Sequence, residues 1–189
     1  KLDHPNRDAA APAARIAACR ANLVPIRGAG DRETQIKSFI EESEMVSATV
    51  ARISSETELP AEIARYLSSQ NLPAVIRTAP ALNNIPWHRQ PTLTVNDGPV
   101  LNTDAVGVNR AFAGVAETGT LVFRSGPHSP TTINFLPLTH IAVLSTKDLC
   151  GDYEAIWRKL RVAQEHELTP MPRTINMVTG PSATGDIEQ

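Results

Sequence analysis

The chain has 189 residues, 41% of them apolar, with 18 Lys and Arg set against 20 Asp and Glu for a net charge of −2. That is enough apolar material for one domain with a sizeable core, or for a core domain with a short extension. The balanced charge, with only two Trp, two Tyr and four Phe, supplies neither a basic patch nor stacking platforms, so nucleic acid is set aside as a partner.

The chain opens on a polar, Pro-bounded stretch. Ala-rich sequence from Ala13 to Asn22 then predicts a helix, since Ala has the best intrinsic helix propensity. Its stripe of Ile16, Cys19 and Leu23 is thin, so residues 1–30 are read as an N-terminal extension with one helix, and 31–189 as the main domain. Arg27-Gly28-Ala29-Gly30-Asp31 is a turn, because no strand precedes its glycines and the third glycine of a dinucleotide fingerprint is missing. Arg32–Met45 is expected to be helical with Ile36, Phe39 and Ile40 on one face. Val46–Ile53 alternates as a strand does. A helix follows to Gln70, with Thr57 or Glu58 at its cap, Pro60 in its first turn and Leu59, Ile63, Tyr66 and Leu67 as its buried stripe. Ala74–Thr78 reads as the next strand, and strand, helix and strand in so short a span imply a parallel crossover.

Residues 79–103 are less legible. Trp87 is expected to pack the loop down, His88 to be a surface group, and Leu93–Val95 to form a weak strand. Apolar runs at 106–108, 112–116 and 121–123 then predict strands, followed by a short helix from Thr131 to Leu136 and a strand over His140–Leu144. His140, at that strand's edge, reads as a structural histidine bonded to a neighbouring carbonyl. Gly151–Gln164 is the clearest helix, with Tyr153, Ile156, Trp157 and Leu160 at helical spacing and Trp157 assigned to the core. Thr174–Val178 is the last strand. Alternating strands and helices give an α/β class with a mostly parallel sheet flanked by helices.

Cys19 and Cys150 form no C-x-x-C or Cys/His cluster, so no zinc site, iron–sulfur cluster or other metal site is expected in this chain. No run of about 18 apolar residues is present, which predicts no bilayer span. The first residues lack the basic-then-apolar shape of a secretory signal, and a cytoplasmic location is expected.

Two polar tips carry the chemistry. Glu117-Thr118-Gly119-Thr120 lies between apolar runs, and Thr179-Gly180-Pro181-Ser182-Ala183-Thr184-Gly185-Asp186-Ile187-Glu188 follows the last strand. Ligands of open α/β sheets bind beyond the carboxyl ends of strands. Hydroxyls of Thr118, Thr120, Ser182 and Thr184, with the N–H groups of Gly119 and Gly180, offer donors to a small anion. Glu117, Asp186 and Glu188 are the candidate carboxylates, and two of them side by side would make an acid/base pair. The structural alternatives stay open: a plain turn at 117–120, and a helix cap at Thr184–Asp186.

The segments V-G-V-N-R-A-F-A-G-V-A-E-T-G-T-L-V-F, S-G-P-H-S-P-T-T-I-N-F-L-P-L-T-H-I-A-V-L and P-R-T-I-N-M-V-T-G-P-S-A-T-G-D-I-E resemble the LUD domain family over roughly Val46 to Glu188. The resemblance implies the α/β fold shared by ribose-5-phosphate isomerase, glucosamine-6-phosphate deaminase and the CoA transferases. It implies a component of bacterial lactate oxidation to pyruvate that bears no cofactor and works with iron–sulfur partner subunits. The family's A-E-T-G-T falls on Ala116–Thr120 and its G-P-S-x-T-x-D-I-E on Gly180–Glu188. Ala183 stands where relatives usually have Arg, and the family continues with a strand and a G-x-H-G-P segment. The expected ligand residues are Thr118, Gly119, Thr120, Gly180, Ser182, Thr184, Asp186 and Glu188, with Glu117 as candidate catalyst. The rivals are an enzyme acting alone on a sugar-phosphate, CoA or folate-type substrate through Glu117, and a scaffold whose tips are structural.

Overall fold

The computed structural model describes residues 23–167 and 172–181, with isolated positions at 12, 14, 15 and 18. Eight strands form two four-stranded sheets. The first sheet has the order β2-β1-β3-β6, built from β1 (Val75–Thr78), β2 (Thr94–Asn96), β3 (Val106–Arg110) and β6 (Thr139–Val143), and all its pairings are parallel. The second has the order β7-β4-β5-β8, from β4 (Ala113–Val115), β5 (Thr120–Arg124), β7 (Leu149–Cys150) and β8 (Ile175–Val178). Here β4–β5 and β5–β8 are antiparallel, and β4–β7 is parallel. The α/β class and a mostly parallel sheet flanked by helices are therefore observed.

Within residues 23–167, three α-helices cover these sheets. α1 (Arg32–Met45) is capped by the Asp31 side chain, which accepts from the Thr34 amide, a bond that satisfies one of the first-turn donors. α2 (Leu59–Ser69) lays Leu59, Ile63 and Leu67 on Ile76, Val106 and Val108, the largest core. α3 (Tyr153–Glu167) lays Ile156 and Leu160 on Ala113, Val115 and Val122 of the second sheet. A third cluster joins Ile36 of α1 to Ala116 and Leu149. Trp87 is half-buried against the first core and donates from Nε1 to the Leu82 carbonyl, while His88 is exposed, both as expected.

Four expectations need correction. Val46–Ile53 is not a strand. Val46 ends α1, Ser47 takes a left-handed φ of 66°, and the segment runs on without ladder pairing. The segment is held instead at its far end, where Ile53 packs on the first core and Arg52 forms two hydrogen bonds with Glu33. The parallel crossover is made instead by β1 with β2 and β3. The expected helix at 131–136 is a 3-10 turn over Thr131–Asn134, with Pro130 at its cap position. Trp157 is not core. It is 38% exposed beside fully buried Ile156, because the buried line of α3 runs through Ile156 and Leu160 and the Trp lies one step round the helix. Trp157→Ala is expected to cost less than about 1 kcal/mol in urea unfolding, against the 3–5 kcal/mol typical of a fully buried Trp. Of the N-terminal helix, Ala14, Arg15 and Ala18 are helical, and the rest lies outside the described residues.

Candidate functional site

Glu117-Thr118-Gly119 is the turn of the β4–β5 hairpin, whose last pair is Val115 with Thr120. Gly119 supplies the left-handed φ of 63° that the turn requires. Because β8 runs antiparallel to β5 with Val178 opposite Leu121, the end of β8 arrives beside the start of β5. The two tips therefore meet at one end of the second sheet. Thr120 and Thr179 share a hydroxyl hydrogen bond of 2.7 Å. Ser182, Thr184, Asp186 and Glu188 lie outside the described residues.

The hydroxyls form a small network. Thr120, fully buried, lies 2.7 Å from the Thr118 hydroxyl and 2.9 Å from the Tyr153 hydroxyl, and Thr118 is 3.1 Å from Tyr153. Each hydroxyl can both donate and accept, so the chain satisfies itself around Thr120, with Thr118 half-buried beside it. Tyr153→Phe removes the hydroxyl that both threonines contact. Its expected cost is about 1 kcal/mol in chemical denaturation.

Both tip glycines also answer to α1. A Cβ on Gly119 would lie 2.6 Å from the Ser43 nitrogen, and one on Gly180 would lie 2.7 Å from the Val46 carbonyl oxygen. Gly180 shares the left-handed conformation, with φ 73°. The Ser43 hydroxyl, donating to the Phe39 carbonyl at 2.7 Å, also reaches the Gly119 carbonyl at 3.4 Å. The last turn of α1 thus seats both tips, and the glycines are required by packing as well as by the turn.

Glu117 points inward. Its side chain is 3% exposed, and Oε2 has no hydrogen-bond partner among the described residues. The cation nearby is Arg27, whose Nε lies 3.7 Å from Oε2 on a side chain 63% exposed. Arg27 is brought there by the 3-10 turn Ile26–Gly28, which packs backbone to backbone on Gly151: a Cβ on Gly28 would come within 2.2 Å of the Gly151 carbonyl oxygen. The Glu117 amide donates to that same carbonyl at 3.1 Å. A buried carboxylate with one distant cation retains unused acceptor capacity, which in a folded protein calls for an explanation. Chemically it can take a proton, or accept a hydrogen bond from a ligand hydroxyl.

Sequence reasoning placed Thr118, Gly119, Thr120 and the Thr179–Gly180 tip at this end but missed Arg27 and Tyr153. Tyr153 had been read only as a stripe residue, and its signal is a hydroxyl on a helix position that Phe would fill equally well. His140 also differs from expectation. Its Nε2 is buried with no hydrogen-bond partner among the described residues, and the ring packs on Phe123 at 5.1 Å between centroids. Burial pushes its pKa from 6.5 down to about 4, so the ring is neutral near pH 7. Cys150 is a free thiol held above its usual pKa by burial, the reverse of an activated nucleophile. Among the described residues, no group of three His, Cys, Asp or Glu could hold a metal ion, and no helix is long and apolar enough to cross a membrane.

Fold and tip define an α/β protein with a hydroxyl-lined turn at the end of a mixed sheet. A crystal structure of a DUF162 family protein from Deinococcus radiodurans superposes with a TM-score of 0.64 at 19% identity, covering 80% of this chain and 90% of that one. That likeness establishes the fold. Residues 100–189, a stretch that includes both tips, match the LUD domain family model. Lactate utilization protein C of a Geobacillus strain is 33% identical over 85 residues, 44% of this chain and 34% of that protein. Lactate utilization protein C of Halalkalibacterium halodurans is 32% identical over 84 residues, 44% of this chain and 36% of the relative. An uncharacterized protein of Neisseria meningitidis is 30% identical over 87 residues, 46% of this chain and 35% of its own length. The matched stretch spans about a third of these relatives.

Proposed function

We propose that this chain acts in bacterial lactate utilization, as a LUD-domain component of the system that oxidises lactate to pyruvate. In this reading it carries no iron–sulfur cluster of its own and works beside partner subunits that do. The 117–120 tip, with the 180–188 segment, binds a small anionic ligand or those partners. The names of the two lactate utilization relatives support the pathway. The observation that carries the site is the meeting of both motif tips through the Thr120–Thr179 hydroxyl bond.

A second reading is favoured by one feature, the unpartnered buried oxygen of Glu117: an enzyme in its own right, on a sugar-phosphate, CoA or folate-type substrate, with Glu117 moving a proton. The same variant tests both. Glu117→Gln keeps size and removes charge, so the fold is expected to survive within about 1 kcal/mol. A strain relying on the complete protein with this change is expected to lose growth on lactate while growing normally on glucose. Normal growth on lactate with a folded variant would remove Glu117 from the function. Turnover by the purified wild-type protein alone, abolished by Glu117→Gln, would select the enzyme over the component.

A further inference from the structure

The rule that open parallel sheets bind ligands beyond their carboxyl ends, at the point where strand order reverses, applies to the first sheet rather than to the mixed one holding the tips. In the order β2-β1-β3-β6 the chain leaves β1 toward β2, then returns across it to β3. The reversal lies between β1 and β3, where the strands end at Thr78 and Arg110. The Glu117 turn is elsewhere, past the far end of β4. We propose that the carboxyl edge of β1 and β3 is a second binding site, for the oxyanion of a small molecule, a carboxylate or a phosphate, with Arg110 as its cation.

The edge has a rigid polar floor. Asn109, fully buried, donates from Nδ2 to the Ser129 hydroxyl and to Asn134 Oδ1, each at 3.0 Å, and its Oδ1 accepts from the Arg110 amide at 2.8 Å. A buried asparagine with these three bonds fixes the 126–134 loop over the strand ends. The opposing wall is the turn after β1, tied to the same loop by the Ala81 amide donating to the His128 carbonyl at 3.0 Å. Ser129 and the exposed His128 stand in the loop that Asn109 holds, and Arg110 is the last residue of β3.

Arg110 is held ready rather than consumed. Its Nη1 lies 2.6 Å from Glu56 Oε1, with the arginine side chain 24% and the glutamate 46% exposed. Glu56 sits in the 3-10 turn leading into α2, and the Arg110 guanidinium beside it holds its carboxyl below the usual range. A carboxylate on the solvent side of a guanidinium is a partner that an incoming oxyanion can replace in kind, with the same charge-assisted bonds.

The test is titration of the isotopically labelled full chain with inorganic phosphate and, separately, with lactate, following backbone amide shifts. Expected shifts fall on 79–84, 109–111 and 126–130. Arg110→Gln is expected to weaken that binding about tenfold or more, and Glu56→Gln, which frees the guanidinium, to tighten it about two- to fivefold. Response to phosphate alone assigns the site to phosphorylated ligands, and response to lactate alone to carboxylates. Either supports the proposal. Shifts confined to 117–120 and 179–180, no shifts with either anion in wild type and Glu56→Gln, or binding unchanged in a folded Arg110→Gln would overturn it.

Discussion

Replacing Gly119 by alanine is expected to destabilise the protein by about 2–4 kcal/mol. Two costs add. A left-handed φ of 63° penalises any residue with a Cβ, by about 1–2 kcal/mol. The new methyl would also press to 2.6 Å from the Ser43 nitrogen and 2.9 Å from the Glu42 carbonyl carbon. Those are helix backbone atoms that cannot swing aside, and overpacking of this kind costs about 1–3 kcal/mol. For a chain of this length the sum corresponds to a fall in melting temperature of about 5–15 °C. Two controls separate the terms. Gly98 has φ 91° but open space around it, so Gly98→Ala should show the backbone cost alone. Gly126 has open space and no positive φ, and Gly126→Ala should change stability by less than about 0.5 kcal/mol. Equal losses at Gly119 and Gly98 would mean that α1 does not constrain the tip.

The contrast between Ile156 and Trp157 shows what periodicity could and could not deliver. Spacing identified the helix, and Ile156 and Leu160 are its buried line. The pattern i, i+3, i+4, i+7 is wider than the strip a three-residue strand pair can cover, so one member had to lie at the margin. Val46–Ile53 failed for a related reason. Alternation of apolar and polar residues is a local pattern, whereas a strand also needs a neighbour with free backbone groups. The two-residue strand Leu149–Cys150 has no period to detect at all; its pairing with Gly114 and Val115 is decided by tertiary placement. Longer runs with turn residues at both ends, such as 106–110 and 120–124, were legible because local pattern and pairing agree there.

At the site, the tips were legible because a glycine with hydroxyl neighbours after an apolar run is a local signature of a strand-end turn. Their meeting was not, since it depends on β8 joining β5 antiparallel. Arg27 was invisible for the same kind of reason. Nothing near residue 27 indicates a carboxylate 90 positions later, and the contact exists because Gly28 and Gly151 allow two backbones to touch. The hydroxyl network and the orphan oxygen of Glu117 together make this end of the sheet polar inside. The exposed Arg27 side chain stands 3.7 Å from the buried Glu117 oxygen.

Acid should weaken the fold in a window set by His140. Unfolded, its imidazole titrates near 6.5; folded, burial against Phe123 lowers it to about 4. Above pH 6.5 both states are neutral and the residue adds no pH dependence. Between 6.5 and 4 the unfolded chain takes up a proton that the native chain refuses, so unfolding stability falls as pH falls. The slope flattens below about 4, once the native ring is charged as well. A depression of about 2.5 units amounts to a loss of about 3 kcal/mol across the window. The carboxylates held low by arginine act further down: Asp104, bonded to Arg77 at 2.8 and 3.1 Å, stays ionised in the native state below its ordinary range. Its stabilisation is lost only as the pH drops through that lower region. His140→Phe removes the titrating ring and leaves an aromatic beside Phe123. Urea unfolding at pH 7 and pH 4.5 is expected to show a larger loss for wild type than for this variant, by about 2–3 kcal/mol. Equal losses would mean that the histidine is hydrated or paired in solution and that its buried nitrogen is not held neutral by the fold.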